Sequence, residues 1–363
     1  MKLIEMREEL LRRARGILQE AGFVISAMCD SRCFDFAARR DDITLIVKAV
    51  QNIDGVSDEV ARSMKRVAFF LLAYPLIVGE RSGVGMLEDG VVYFRYGIPA
   101  VNTQTLHDYF VNDFRPCVYS SAGGLFVSID GEAMRAAREQ KNLSLGELAS
   151  ALGVSRRSVS KYERGASTTI EIALKLEEIL EARLIRHIDM LKTVESVPPA
   201  EKMLSSLERR ILSTMERIGF EIFTTAFAPF NAVSMPREEE RGSAEKIEHG
   251  TEEEWKEEEE KVNATNTTRM QEAEKILTGI SKCTSRLVKR AKIVSSISEI
   301  TGMKSVFVVN GKIKRMQIDK TVLIRREELE KIRDADEFSY ILEERAAACE
   351  LAMPEIAPLF FFP

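Results

Sequence analysis

The chain has 363 residues, which is too long for a single ordinary hydrophobic core, so two or three domains are expected. Its composition, 45% apolar and 30% charged, is typical of a folded soluble protein, and no apolar run is long enough to span a bilayer. The formal net charge of −5 argues against a protein that coats nucleic acid with its whole surface, but it still allows a local basic face.

The N-terminus and the cysteines favour a cytoplasmic protein without a metal or cofactor. The first residues mix acidic and basic side chains and lack the apolar stretch of a signal peptide. Cys29 and Cys33 lie four positions apart, but no second pair of Cys or His residues follows to complete a metal site. The histidines are isolated from one another, so we expect none of these residues to bind metal.

Residues 1–130 predict an α/β domain. A helix over Leu3–Ala21 opens it, and a second helix over Ser57–Ala73 follows the turn at Asp54-Gly55. A short helix is expected near Thr103–Phe110. Apolar and β-branched runs between Gly, Pro and Asp residues predict strands. These runs are Phe23–Met28, Cys33–Ala38, Ile43–Val50, Pro75–Val78, Val91–Phe94 and Leu125–Ser128.

Residues 131–197 predict a helical domain, and Pro198-Pro199 marks the linker that ends it. A long trailing helix is expected from Thr169 to about Thr193. Its apolar stripe, Ile172, Leu176, Leu180 and Leu184, could build a dimer or brace the flanking domains. The alternative is that the stripe packs only on its own domain.

Residues 200–363 form a second α/β block that repeats the opening of the first. Leu10–Phe23 aligns without a gap over Leu207–Phe220, and Leu87–Phe94 parallels Phe307–Lys314 as a strand-turn-strand. We infer a duplicated α/β unit, with chance similarity of two amphipathic helices as the alternative. An acidic insertion at about 236–262 has too few apolar residues for a core and is expected to be a solvated loop, with partner binding as the other reading.

The segment Gly131–Gly165 carries the signals of a helix-turn-helix unit. Ser144-x-x-Glu147 is a capping box, Ser155 is a suitable N-cap, and Thr168-x-x-Glu171 predicts a further box. Leu152-Gly153-Val154 has the length of the turn between the second and third helices. The expected core residues are Leu148, Ala149, Leu152, Val154, Val159, Tyr162, Ile170, Ala173 and Leu174.

This spacing leaves a donor-rich face on the third helix, as contact with a major groove requires. Arginine can fork to guanine, and the free N–H groups at a helix start suit a phosphate. Residues 155–165 hold four basic residues against one acidic residue. The predicted DNA contacts are Ser144, Ser155, Arg156, Arg157, Ser158, Ser160, Lys161 and Arg164.

These residues make the segment resemble the Cro/C1-type (XRE) helix-turn-helix domain. The matching residues are Leu148-Ala149, Leu152-Gly153-Val154-Ser155, Val159-Ser160 and Tyr162-Glu-Arg-Gly165. The resemblance implies a lambda-repressor-like bundle of five helices that binds double-stranded DNA as a homodimer. The glutamines that often open the second and third helices of that family are absent, so the contact details and the target sequence stay open.

Nearly the whole chain also resembles a family of archaeal HTH-type transcriptional regulators. The resemblance rests on Phe34-Asp-Phe-Ala-Ala-Arg, Ile77-Val-Gly-Glu-Arg81, Leu87-Glu-Asp-Gly-Val-Val-Tyr, Arg95-Tyr-Gly-Ile-Pro-Ala-Val101 and the central motif. It implies regulation of transcription and leaves open the operator, the effector and any protein partner.

The order of elements in the first block resembles a restriction-endonuclease-like fold. Asp35 and Lys48 fit the positions of the catalytic Asp and Lys, but Ile46 occupies the Glu position and Asn231 replaces the Asp in the second copy. We therefore expect a degenerate scaffold and not an enzyme. The alternatives are a DNA-processing enzyme, whose Mg²⁺-dependent cleavage Asp35→Ala would abolish, and a protein-bridging scaffold with little salt-dependent DNA affinity.

Overall fold

A computed structural model describes residues 2–29, 31–196, 203–237, 273–313 and 315–350. They form two compact units. One comprises Met1–Phe23, Val47–Ala61 and Pro75–Lys192, and the other comprises Val24–Ile46, Arg62–Tyr74 and Thr193–Pro363. No helix of the described ranges is both long and apolar enough to cross a membrane.

The first block has the predicted helices, and each of its predicted strands overlaps an observed one. Its helices are α1 (Lys2–Glu20), α2 (Asp58–Leu71) and α3 (Thr103–Phe110). Its strands are β1 (Val24–Ile25), β2 (Phe36–Arg40), β3 (Ile43–Asn52), β4 (Tyr74–Arg81), β5 (Val91–Arg95), β6 (Ile98–Val101), β7 (Val118–Ser121) and β8 (Gly124–Ile129). The predictions missed β6, which contains a proline, and β7, whose sequence is largely polar.

In the first unit, strand pairing runs from β4 to β8. β6 pairs parallel with β4 and antiparallel with β5, and β5 pairs parallel with β7. β7 and β8 form a hairpin through Gly123 and Gly124, both with positive φ. β8 is the last strand before the helical block begins. Two short strands of that block pair with β8.

The helical block contains α4 (Gly131–Gln140), α5 (Leu145–Leu152), α6 (Arg156–Tyr162) and α7 (Ile170–Leu180), with β9 (Thr168–Thr169) and β10 (Ile185–Arg186). Both strands pair antiparallel with β8. Four helices are thus seen in residues 131–196, and the predicted fifth helix is not among them.

The predicted long trailing helix is wrong, because α7 ends at Leu180. Glu181 adopts the left-handed conformation with φ 49°. The Glu177 carboxylate then accepts hydrogen bonds from the backbone N–H groups of Leu184 and Ile185, at 2.7 and 3.0 Å. These contacts turn the chain into β10. Leu176, Leu180 and Leu184 are buried in the core of the helical block, so this stripe packs on its own domain.

Two further details of the helical block differ from the predictions. Thr168 lies in β9, and Thr169 stands at the N-cap of α7 without a side-chain capping bond, so the second capping box is wrong. Leu174 is 55% exposed instead of lying in the core. The capping error follows from the pairing of β9 with β8, which places Thr168 in a strand. Leu174 is exposed because the buried side of α7 is formed by Ala173, Leu176 and Leu180.

The second α/β block repeats the element order of the first. It consists of α8 (Ser206–Arg217), β11 (Phe220–Thr224), β12 (Ala232–Pro236), β13 (Ile276–Lys282), α9 (Ser285–Thr301), β14 (Lys304–Asn310), β15 (Gln317–Ile318), β16 (Thr321–Arg325), α10 (Arg326–Leu329) and α11 (Ala335–Glu350). The acidic insertion falls between β12 and β13, and most of it lies outside the described residues.

Strand pairing in the two blocks supports the duplication. β11 is antiparallel to β12, as β1 is to β2. β16 is parallel to β14 and antiparallel to β15, as β6 is to β4 and β5. The sequence alignment was nevertheless wrong at Phe307, which lies in β14 and therefore corresponds to β4 and not to β5.

Within the second unit, elements of the two copies pack against each other reciprocally. From α2, Arg66 Nε donates to the Thr224 carbonyl at 2.7 Å, and the Phe70 ring lies 4.7 Å from that of Phe223 in β11. From α9, Ser296 Oγ accepts from the Ala27 N–H at 2.8 Å, and α9 also contacts β2. Each helix thus contacts the opening strands of the other copy, as in a two-fold symmetric interface.

Candidate nucleic-acid interface

Local hydrogen bonds fix where α5 and α6 begin. Ser144 Oγ accepts from the Glu147 N–H at 3.2 Å, and the Glu147 carboxylate accepts from the Ser144 N–H at 2.8 Å. The hydrogen bond from the Ser144 N–H lowers the pKa of the Glu147 carboxyl. Ser155 Oγ caps α6 by accepting from the Ser158 N–H at 3.1 Å. Both predicted caps are confirmed.

The turn between the two helices also follows the prediction. Gly153 has φ 72°, a conformation that glycine adopts without steric cost. Val159 is fully buried and Val154 packs against the same core, so the two valines hold α6 against α5. Val127 and Ile129 of β8 belong to this core as well, which anchors the helical block on the strand before it.

The structure places the predicted contact residues at the starts of α5 and α6, on α6, and just after it. Ser144, Ser155, Arg156, Arg157, Lys161 and Arg164 are exposed, while Ser158 and Ser160 are half-buried. The hydroxyls of Ser155 and Ser158 lie 2.9 Å apart and take part in the cap. Apart from Ser144 and Ser155, the exposed members are cations.

The four cations, Arg156, Arg157, Lys161 and Arg164, have no salt bridge within the described ranges. Arg164 donates from Nε to the Ser160 carbonyl at 3.1 Å, which holds it near the end of α6. Arg156 lies over the first turn of α5, because a Cβ added to Gly146 would come within 2.5 Å of Arg156 Nη2. Gly146 thus leaves the space that this guanidinium occupies, a role that the sequence pattern did not indicate.

A partly buried ion pair holds the end of α6 on the side that faces α4. Arg138 of α4 donates from Nε to Glu163 Oε1 at 2.5 Å, and the two side chains are only 11% and 12% exposed. Hydrogen bonding to Glu163 raises the pKa of Arg138. Arg138 Nη1 also donates to the Leu143 carbonyl at 2.8 Å. The pair therefore ties α4, the loop before α5 and the end of α6 together.

Close backbone approach at the same place requires glycine at position 131. A Cβ there would lie 2.7 Å from the Gly165 N and even nearer to the Glu163 carbonyl. The start of α4 therefore touches the chain directly after α6. Sequence reasoning missed both this contact and the Arg138–Glu163 pair, since the partners are far apart in the chain.

The residues at the nuclease-like positions of the first copy are buried. Asp35, directly before β2, is 1% exposed, and its backbone carbonyl accepts from the Cys29 N–H at 2.7 Å. Lys48 in β3 is 9% exposed, and Ile46 in the same strand is fully buried. Across the ranges that the structure describes, no three His, Cys, Asp or Glu side chains form a group that could hold a metal ion.

In the second copy, the Asn231 side chain is a structural hydrogen-bonding centre. It donates to Glu208 Oε1 at 2.6 Å and accepts from the Ile280 N–H at 2.8 Å and from Arg290 Nη2 at 2.9 Å. An amide can donate and accept at once, whereas an ionised carboxylate only accepts. Asn231 therefore links α8, β13 and α9.

Comparison with known families gives two matches. The model of the PD-(D/E)XK superfamily domain matches residues 7–116. The helix-turn-helix model matches residues 134–184 and so covers α5, α6 and α7. The chain is thus mixed α/β, with an N-terminal PD-(D/E)XK-like domain followed by a helix-turn-helix domain.

Several archaeal proteins are similar over nearly the full chain. A protein of Methanocella arvoryzae is 40% identical over 346 residues, which cover 93% of this chain and 96% of the relative. A protein of Methanococcoides burtonii is 38% identical, covering 94% and 98%, and one of Archaeoglobus fulgidus is 34% identical, covering 95% and 100%. Each is described as a "Putative HTH-type transcriptional regulatory protein". No solved structure matches the chain.

Proposed function

The chain belongs to the family of archaeal HTH-type transcriptional regulatory proteins, and from that premise we propose that it is a sequence-specific regulator whose α6 reads the major groove of double-stranded DNA. The resemblances to this family and to the Cro/C1-type helix-turn-helix domain are confirmed. The observation that carries the proposal is the group of four exposed, unpaired cations on and directly after α6 in the described part of the chain.

In the proposed complex, α6 presents Arg156, Arg157 and Lys161 to base edges and the adjacent phosphates. Arginine can donate two hydrogen bonds to one guanine. Ser144, at the start of α5, and Arg164, after α6, contact phosphates on either side and set the register of the helix in the groove. Ser155, Ser158 and Ser160 complete the contact surface. The mechanism is binding, and we assign no catalytic step.

Two copies of the chain would occupy two half-sites. Helix-turn-helix dimers bind half-sites about 34 Å apart, which is one turn of the DNA helix. We therefore infer a homodimer whose operator has two-fold symmetry. An effector or a second protein could set the occupancy of that operator.

Mapping of the DNA bound in cells, followed by affinity measurements on the recovered duplex, tests the proposal. We expect the dissociation constant to rise steeply with salt, because each phosphate contact contributes a slope of about 0.9 in a plot of log K against log salt. A slope of about 3 or more is expected from one subunit's cations. A flat salt response, or no enrichment of any DNA sequence, would overturn the proposal.

Substitutions of Ser155 separate the cap from the DNA contact. Ser155→Ala should lower the free energy of unfolding by about 1 kcal/mol, because it removes the N-cap of α6. Ser155→Asp should keep this stability, since aspartate caps equally well and favours a helix start. The added carboxylate should nevertheless weaken duplex binding about tenfold, because it would repel a nearby DNA phosphate. Thermal unfolding and fluorescence anisotropy measure the two effects, and full-strength binding by Ser155→Asp would contradict the proposed contact.

A further inference from the structure

An open cavity of about 810 Å³ lies in the first unit, beside the helical block. Its walls come from β5, from the β7–β8 hairpin and from the segment that follows β10, with Phe94, Tyr119, Ser128, His187 and Lys192 among the lining residues. Cavities of about 300–1,000 Å³ are the usual size of sites for small molecules. This one has no place in the DNA-binding mechanism.

The lining combines aromatic rings with a cation. The rings of Phe94 and Tyr119 are half-buried, with centroids 6.4 Å apart. Lys192 Nζ lies 5.8 Å from the Phe94 centroid and has no carboxylate within salt-bridge distance in the described ranges. An aromatic wall suits a planar ring, and a lysine without an ion-pair partner suits an anionic group.

The other charged groups of the lining already have partners within the protein. Arg95 Nε donates to Asp54 Oδ1 at 2.7 Å. Asp189 Oδ1 accepts from the Tyr109 hydroxyl at 3.1 Å and from the Leu191 N–H at 2.9 Å. Lys192 is therefore the lining cation whose charge is left for a ligand, while Asp189 is held by donors of its own.

Strand β8 connects the cavity to the core of the helical block. Ser128 of β8 lines the cavity, whereas its neighbours Val127 and Ile129 are 1% exposed and belong to the core of the helical block. Alternate residues of a strand face opposite sides, so a shift of β8 at the cavity also moves that core. Ser128 Oγ also lies 3.4 Å from Ser167 Oγ, in the loop that joins α6 to α7.

We propose that this cavity binds a small organic anion carrying a planar ring, and that the bound ligand changes the affinity of α6 for DNA through β8. The ring packs against Phe94 and Tyr119, and the anionic group binds Lys192. The ligand site is inferred from the geometry of the cavity alone. The regulatory effect also rests on the proposed function.

Titration calorimetry on the full chain tests the site, with adenosine 5′-monophosphate and indole-3-acetate as probes. Adenosine lacks the anion, and inorganic phosphate lacks the ring. We expect at least one of the two anionic probes to bind about tenfold tighter than both of these controls, because it alone makes both contacts. Equal or absent binding of the anionic probes would overturn the site.

Variants then locate the bound probe. Lys192→Gln and Tyr119→Leu should each weaken its binding about fivefold or more, while Lys175→Gln, which removes an exposed lysine of α7 outside the cavity, should leave it unchanged. Unchanged binding by both cavity variants would place the ligand elsewhere and overturn the proposal.

Duplex affinity measured with and without saturating probe tests the coupling. A change of about fivefold or more in either direction is expected of an effector. If DNA binds tightly and its affinity is the same with and without bound probe, the coupling is overturned and the proposed function stays intact. Probe binding without any DNA affinity would overturn the proposed function and the coupling, and leave the ligand site intact.

Discussion

Replacing Arg156 and Arg157 together with alanine is expected to weaken binding to the operator duplex by at least about 30-fold, with the fold unchanged. A well-placed arginine–guanine contact contributes about 1–3 kcal/mol, so two lost contacts amount to at least about 2 kcal/mol. Both side chains are exposed on α6, and neither has a salt bridge within the described residues, so their removal leaves no buried charge behind.

Anisotropy at several salt concentrations measures this effect, and circular dichroism shows whether the variant is folded. The matched control is Arg209→Ala plus Lys331→Ala, which removes the same charge from exposed positions outside the helical block. The control should bind nearly as the natural protein does, because neither residue belongs to the proposed contact surface on α5 and α6. Equal affinities of the two double variants would show that α6 does not contact the DNA.

The overall charge of −5 does not conflict with this surface. The single acidic residue near the end of α6, Glu163, is turned inward and paired with Arg138. The outward face of α6 is therefore more positive than its sequence composition alone suggests. Local arrangement of charge, and not the sum over the chain, decides whether a helix can approach a phosphate backbone.

The sequence was most informative where the structural signals are local. Caps at Ser144 and Ser155, and the left-handed turn at Gly153, depend on residues within a few positions of each other. The buried and exposed sides of α6 likewise follow from its periodicity around Val159. For these reasons, the helix-turn-helix unit and its donor-rich face could be predicted without a structure.

Long-range pairing explains what could not be predicted. β9 and β10 are two residues each and exist because β8 offers them hydrogen bonds. Their sequences carry no strand pattern of their own, so the same stretch was predicted as part of one long helix. β6 is fully buried but contains Pro99, and proline lowers the expectation of a strand.

In the two α/β blocks as well, local sequence features could be predicted and contacts between distant segments could not. Similar opening helices and a shared Gly-Phe ending indicated the repeat. The reciprocal packing of α2 on β11 and of α9 on the first strands could not be read from either copy alone. In the second copy, Asn231 shows how a position that matches a catalytic carboxylate serves as a hydrogen-bonding centre instead.

The partly buried Arg138–Glu163 pair should be the most sensitive polar contact of the helical block. Glu163→Gln is expected to lower the free energy of unfolding by about 2 kcal/mol, because it leaves the partly buried guanidinium of Arg138 without its countercharge. Arg138 keeps a hydrogen bond to the Leu143 carbonyl and a 3.4 Å contact with the half-exposed Glu139, so the loss should lie between those of exposed and fully buried pairs. Chemical denaturation followed by circular dichroism measures the change.

An exposed pair provides the control for this substitution. Glu299 and Lys320 lie 3.4 Å apart with side chains 62% and 60% exposed, so Glu299→Gln should cost less than about 1 kcal/mol. The double variant Arg138→Met plus Glu163→Leu should recover most of the stability lost in Glu163→Gln, since apolar side chains of similar size leave no unpaired charge. A Glu163→Gln protein as stable as the Glu299→Gln control would contradict this account. In that case the end of α6 would be held by its backbone contacts with Gly131, and the charge pair would contribute little.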